Sequence, residues 1–301
     1  MPVLSYLHLD VFTANRFEGN QLAVFPDPGR LSTAQMQKIA QEMNFSETTF
    51  IYPAQSGGDA HMRIFTPGTE LPIAGHPTIG STFALAHVGR IAAGRERFVF
   101  ELGVGPTPVS LEWKKGGLWF AWMTQPLPSF GGEVSDREAV AAACGLAPAD
   151  LLDGAPIEEV SCGVPYLFVG LKTRKAVDAV AIDRRALAQC CRAAGLPELA
   201  VYVFTPERGG DETVYSRMLA PSFGIAEDPA TGSACGPLGS YLLHHGLVTP
   251  VVARSMVSLQ GVAMGRPSRI HISIDSQDEM ITSVRVGGQS ILAGRGELIV
   301  D

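Results

Sequence analysis

His76-Pro77-Thr78-Ile79-Gly80-Ser81 and Asp228-Pro229-Ala230-Thr231-Gly232-Ser233 share one form, x-Pro-x-x-Gly-Ser. Each is followed by small and apolar residues ending in His and Gly, and each is preceded by a second short match, Thr66-Pro67 and Ala220-Pro221. The two hexapeptides are offset by 152 residues (76 to 228), about half of the 301-residue chain. They also coincide with the two longest stretches free of Asp, Glu, Lys and Arg, 71–89 and 229–253. A motif that recurs at half the chain length reads as two related halves.

The two copies carry the same physical content. Proline at the first helical position is preorganised for a helix start, with the preceding polar residue at or near the N-cap. The free N–H groups and positive end of such a helix attract a carboxylate. If two homologous halves face each other, both helix starts line one cleft, and His76 and Asp228 become pseudo-equivalent residues within it. From the residues alone, Asp228 reads equally well as an ordinary N-cap and His76 as a satisfied histidine beside a turn.

Composition narrows the classes around this repeat. With 46% hydrophobic and only 18% charged residues, the chain can bury a sizeable core and is not disordered. Lys and Arg number 23 against 30 Asp and Glu, a net charge of −7, which disfavours nucleic acid as a partner. The uncharged runs are long enough for membrane spans, but both contain Pro, several Gly and at least two His, so no membrane partner is expected. The first residues carry no basic or long apolar segment, which argues against a signal peptide. Five scattered cysteines without a C-x-x-C pair fit free thiols in a reducing cytoplasm, and no structural zinc or other metal site is expected. No P-loop is present, and no G-x-G-x-x-G opens a helix after a strand.

The 33 glycines and 21 prolines imply many turns and short elements, favouring an α+β protein rich in antiparallel strands. Strand patterns fall at 4–12, 21–25, 48–52, 61–65, 98–102, 108–113 and 119–123. In the second half they recur at 166–171, 200–204, 256–260, 270–274, 281–286 and 297–300. Helix patterns fall at 31–43, where Ser32 is the expected N-cap, and at 76–88, 183–194 and 231–244. The Pro-, Gly- and Ser-rich stretch 125–132 reads as a linker between domains 1–125 and 126–301, with a final strand that can return to the first domain.

Ser46-Glu47-Thr48-Thr49-Phe50 leads into a strand, and every neighbour of Glu47 from 44 to 50 is uncharged. Partial desolvation would raise its carboxyl pKa toward neutrality, as suits a general acid/base that takes a proton and returns it. A turn or capping carboxylate is the alternative.

Here the residues resemble a known family. Asp10-Val11-Phe12-Thr13, Gly19-Asn20-Gln21-Leu22-Ala23-Val24, Ser46-Glu47-Thr48-Thr49-Phe50, Ala74-Gly75-His76-Pro77-Thr78 and Asp228-Pro229-Ala230-Thr231-Gly232-Ser233 stand in the order of the phenazine-biosynthesis isomerase (PhzF-like) family. The segment 261–268, G-V-A-M-G-R-P-S, is similar to its late motif. The resemblance runs nearly end to end. Gln21 departs from the usual Gly-Asn-Pro, a change expected to alter a loop more than the chemistry.

The resemblance implies the diaminopimelate-epimerase-like fold: two pseudo-symmetric domains, each a curved antiparallel sheet or barrel around a central helix, with the site in the cleft between them. It implies an isomerase without a cofactor, similar to trans-2,3-dihydro-3-hydroxyanthranilate isomerase, acting on a small carboxylated substrate, and a homodimer. Carried onto this chain, Glu47 is the single acid/base. His76 and Asp228 hold and polarise amine and hydroxyl groups, Ser46, Gly75, Gly232 and Ser233 offer donors to substrate oxygens, and Asn20 is a further substrate-binding position. An amino- or hydroxy-acid epimerase or racemase is the runner-up. It is disfavoured because Ala74-Gly75-His76 lacks a cysteine and Cys235 lies inside a helix rather than at its start. A small-molecule-binding homologue without turnover is the third reading.

Overall fold

The structure is a computed structural model and describes residues 3–207 and 210–300. The chain divides into two compact units, Met1–Thr124 with Val286–Asp301, and Gln125–Arg285. The first unit begins β1 (Val3–Val11), β2 (Asn20–Phe25), α1 (Thr33–Met43), β3 (Glu47–Pro53), β4 (Ala60–Phe65), β5 (Glu70–Leu71) and α2 (Gly75–His87). It continues with β6 (Arg97–Leu102), β7 (Gly105–Lys114) and β8 (Gly117–Gln125). Ser32 caps α1 as expected: its hydroxyl accepts from Gln35 N–H, and the Gln35 side chain accepts in return from Ser32 N–H.

The second unit holds β9 (Ser129–Glu133), α3 (Arg137–Ala143), β10 (Glu158–Ser161), β11 (Pro165–Gly170), α4 (Arg174–Ala179), α5 (Arg184–Ala193), β12 (Ala200–Pro206), β13 (Val214–Ala220) and β14 (Ile225–Asp228). There follow α6 (Gly232–His244), α7 (Pro250–Ala253), β15 (Met256–Gln260), β16 (Ser268–Gln277) and β17 (Met280–Gly288). The last strand, β18 (Ser290–Ile299), pairs antiparallel with β1 in the first unit. It is ten residues long, not the short strand expected at 297–300. Part of the expected linker at 125–132 is also a strand, because β9 pairs antiparallel with β10.

The pairing order is the same in both units. In the first, β1–β2 is antiparallel, β2–β3 parallel, β3–β4 antiparallel, β4–β5 antiparallel, β4–β6 parallel and β6–β7 antiparallel. In the second, the corresponding series runs β10–β11, β11–β12, β12–β13, β13–β14, β13–β15 and β15–β16, with the same alternation. An amphipathic helix fills the first parallel crossover in each (α1 and α5), and a 13-residue helix fills the second (α2 and α6). The fold is therefore α+β with an internal repeat.

The repeat register differs from the one read at the hexapeptides. The equivalent helices start at Gly75 and Gly232, 157 residues apart: the offset is already 155 at the starts of β5 and β14 (Glu70 and Ile225), and β14, with four residues against two, adds the last two. Asp228 ends β14 and is not an N-cap. The residue that matches His76 is Ser233. Pro77 is the third helical residue, and Pro229 lies before the helix altogether.

The two uncharged runs are explained by burial. Nearly every residue of α2 from Gly75 to Leu85 is buried, and so is most of α6, so neither helix has a face for charge. At Gly80 an added Cβ would press on Leu22 and Val11, so close packing of α2 on β1 and β2 requires glycine. Among the described residues no helix is long and apolar enough to cross a membrane.

Candidate active site

Three side chains meet at one end of the first unit. Strands β2 and β3 are parallel, with Leu22 opposite Glu47, so the first residues of both strands lie at the same end. Asn20 opens β2 and Glu47 opens β3, while the first turn of α2 brings in His76. Asn20 Nδ2 lies 3.2 Å from His76 Nδ1, and His76 Nε2 lies 3.1 Å from Glu47 Oε2. The second approach is close without the alignment of a hydrogen bond. Asn20 is fully buried, and the His76 and Glu47 side chains are 4% and 15% exposed.

The loop that delivers Asn20 follows from the Asp10-Val11-Phe12-Thr13 motif. The buried carboxylate of Asp10 accepts the Phe17 N–H at 2.7 Å, and Phe17 takes a left-handed φ of 71°. Gly19, at φ 68°, passes so close to the Val11 carbonyl that no side chain fits there. Gln21 is not in a loop: it lies in β2, opposite Asp10.

Burial governs the histidine. Desolvation drives the His76 pKa down to about 3, against a smaller upward pull from the Gln21 backbone, so the imidazole is neutral at physiological pH. The ring beside Glu47 is therefore uncharged and can only donate or accept a hydrogen bond. Ser46 is half-buried beside Glu47, and Gly75 is the buried first residue of α2. The N-cap of α2, Ala74, has no side chain to cap the helix, and Pro77 lacks an N–H. The Gly75 and His76 N–H groups therefore remain as first-turn donors without an intrahelical acceptor.

The second unit gathers the remaining expected residues at the start of α6. Asp228 is 6% exposed and accepts the Thr231 hydroxyl on Oδ2 at 2.5 Å. Gly232 and Ser233 are the first two helical residues, and the Gly232 carbonyl accepts from Gln125 Nε2 at 3.0 Å. Ser233 Oγ lies 2.7 Å from the Tyr166 hydroxyl. Thr231, Tyr166 and Gln260 belong to this cluster but were not singled out from the sequence. Gln260 left one signal there, as a polar residue closing an apolar strand immediately before the 261–268 motif.

All five cysteines are buried and unbridged. Cys235 is the fourth residue of α6 and fully buried, and desolvation pushes its thiol up to about 12. Among the described residues no group of three or more His, Cys, Asp and Glu side chains comes together to hold a metal ion.

Two repeats of one mixed-sheet pattern, each with a buried helix opening beside acidic and polar side chains, give an α+β fold with an internal repeat that PhzF-family and epimerase structures share. The chain belongs to the phenazine biosynthesis-like protein family (PhzC-PhzF), whose model matches residues 9–296, and it is an isomerase of that family. It is 37% identical to trans-2,3-dihydro-3-hydroxyanthranilate isomerase of Pseudomonas fluorescens over 297 residues, 98% of this chain and 99% of the relative. A crystal structure of the Bacillus anthracis PhzF-family phenazine biosynthesis protein superposes with a TM-score of 0.88 at 24% identity, covering 100% of both chains. A hydroxyproline epimerase from Agrobacterium vitis shares the fold at 12% identity, with a TM-score of 0.68 over 98% of this chain and 92% of its own.

Proposed function

We propose that the chain is a cofactor-independent isomerase that shifts a proton between carbons of a small carboxylated substrate bearing an amine or hydroxyl, similar to trans-2,3-dihydro-3-hydroxyanthranilate. Glu47 is the single acid/base. The observation that carries this reading is Glu47, 15% exposed, set 3.1 Å from a histidine that burial keeps neutral.

The Glu47 carboxylate takes a proton from a C–H bond, and the electron pair moves into the adjoining π system. The same carboxyl then returns the proton to a different carbon, so the reaction is neutral in atoms and electrons. In the first unit, Ser46 and the first-turn N–H groups at Gly75 and His76 donate to substrate oxygens, and Asn20 and His76 hold its polar groups. In the second, Asp228 accepts from the amine or hydroxyl, and Gly232 and Ser233 donate to carboxylate oxygen. These donors are neutral, which reconciles a net charge of −7 with an anionic substrate.

A two-thiol racemase reading is disfavoured by Cys235, whose buried thiol resists ionisation. The deciding experiment incubates the enzyme with dihydro-hydroxyanthranilate and related small acids in D2O. Conversion with solvent deuterium in the product is expected, and Glu47→Gln should abolish both. A Glu47→Gln variant as fast as the parent would refute the assignment, and saturable binding without exchange would identify a non-catalytic homologue.

A further inference from the structure

Beneath the start of α6 lies a buried polar chain that ends on Asp228. Gln260, the last residue of β15, is fully buried, and both atoms of its side-chain amide are doubly engaged. Oε1 accepts from the Tyr202 hydroxyl at 3.1 Å and from the Thr231 N–H at 3.2 Å. Nε2 donates to the Asp228 carbonyl at 2.7 Å and to Thr231 Oγ1 at 3.0 Å.

This pattern has one direction. Rotating the amide by half a turn would set an NH2 group against the Thr231 N–H and an oxygen against the Asp228 carbonyl, so only one orientation is satisfied. An amide nitrogen only donates, so Thr231 Oγ1 must accept from it and aim its own proton elsewhere. Asp228 Oδ2, 2.5 Å away, receives that proton in a short charge-assisted bond. At the far end, Tyr202 is fully buried, with Ser216 Oγ at 2.9 Å, Ser258 Oγ at 3.3 Å and Cys235 Sγ at 3.5 Å around its hydroxyl. Burial keeps Tyr202 protonated and able to donate.

We propose that Gln260 is a positioning residue: by fixing the direction of the Thr231 O–H it holds the Asp228 carboxylate in one orientation as an acceptor. Its consequence for turnover rests on the role given to Asp228 under the proposed function, whereas the relay itself is a property of the free protein.

Two measurements separate these. In the free enzyme, the NMR signals of the Gln260 side-chain NH2 group should move in both Thr231→Val and Asp228→Asn. Unmoved signals in Asp228→Asn would overturn the relay whatever the reaction is. With a substrate that is turned over, Gln260→Leu should lower kcat at least about tenfold, the scale of one lost hydrogen bond to a charged group, with KM little changed. The double variant Gln260→Leu/Thr231→Val should be no slower than the slower single variant, because both break one chain. A folded Gln260→Leu enzyme with parental kcat, or losses that multiply, would overturn the positioning role. If Gln260→Leu does not fold, Thr231→Val carries the same kcat test. Absence of turnover on every substrate would refute the proposed function and leave the NMR result standing.

Discussion

His76 Nε2 and Glu47 Oε2 face each other at 3.1 Å, one from the second residue of a buried helix and the other from the first residue of a strand. Burial brings the histidine pKa down to about 3, so near neutral pH the imidazole carries no charge. A single carboxyl group beside an uncharged ring suits a proton that leaves one carbon and returns to another.

Glu47→Gln keeps the shape of the side chain and removes its basicity. It should lower kcat by about 10²–10⁴, the usual contribution of a general acid/base, and leave the thermal midpoint within a few degrees of the parent. Deuterium incorporation from D2O and a thermal melt on the same sample check both halves.

The His76 ring should show no protonation by NMR between pH 5 and 8, because its folded pKa is about 3. An unfolded histidine titrates near 6.5, so between about 6.5 and 3 the unfolded chain binds the extra proton. Stability therefore falls as pH drops through that window, and His76→Gln should make the fall shallower in denaturant titrations at pH 7 and pH 4.

Glu101 behaves in the opposite chemical sense. Its carboxylate accepts the N–H groups of Gln55 at 2.6 Å, Ser56 at 2.6 Å and Gly58 at 2.8 Å, and these bonds, led by Gln55, hold its pKa down at about 2. This contribution is complete above about pH 4.5 and is lost as pH falls toward 2. Glu101→Gln should lower stability at pH 7 and flatten the acid limb, as read from thermal midpoints between pH 2 and 6.

Arg217 lies in the middle of β13, where seven consecutive residues are buried. Its guanidinium grips Glu227 through two bonds, of 3.0 and 2.8 Å, and donates to the carbonyls of Val177, Asp178 and Val180. Arg217→Met strands the Glu227 carboxylate and three carbonyls. It should cost about 3–5 kcal/mol, measured by urea unfolding, while Arg217→Met/Glu227→Leu should recover part of the loss.

Gly261 has φ 76°, and an added Cβ would lie 2.5 Å from the Pro229 carbonyl oxygen. Gly261→Ala should cost about 1–3 kcal/mol from the backbone conformation alone. Because Pro229 follows Asp228 directly, kcat should drop as well, in the same assay used for Glu47→Gln.

Much of this was legible in the sequence for physical reasons. Helices α2 and α6 lack charge because they are buried on nearly every side, and the same runs mark the repeat. Glu47 stood out because its neighbours are uncharged and His76 because it opens a repeated hexapeptide, whereas Asn20 was visible only through the family resemblance. The repeat register was not legible: Pro77 and Pro229 invite alignment, but proline is tolerated both within a first turn and just before a helix. Strand β13 was hidden because Arg217 interrupts an apolar run and its charge is neutralised only by tertiary partners. Gln260 was hidden for a related reason, since its partners Tyr202 and Thr231 lie far away along the chain.

The pairing of Val3 with Ile299 and of Leu4 with Leu298 has a consequence for the order of events during synthesis. As the chain emerges from the ribosome, β1 and β2 are available first, but β1 lacks its second neighbour until residues 290–299 appear. The unit from Gln125 to Arg285 is complete before then. It can therefore finish folding while the first unit still presents an unpaired strand edge, so Glu47, Asn20 and His76 are expected to reach their final geometry late in biogenesis.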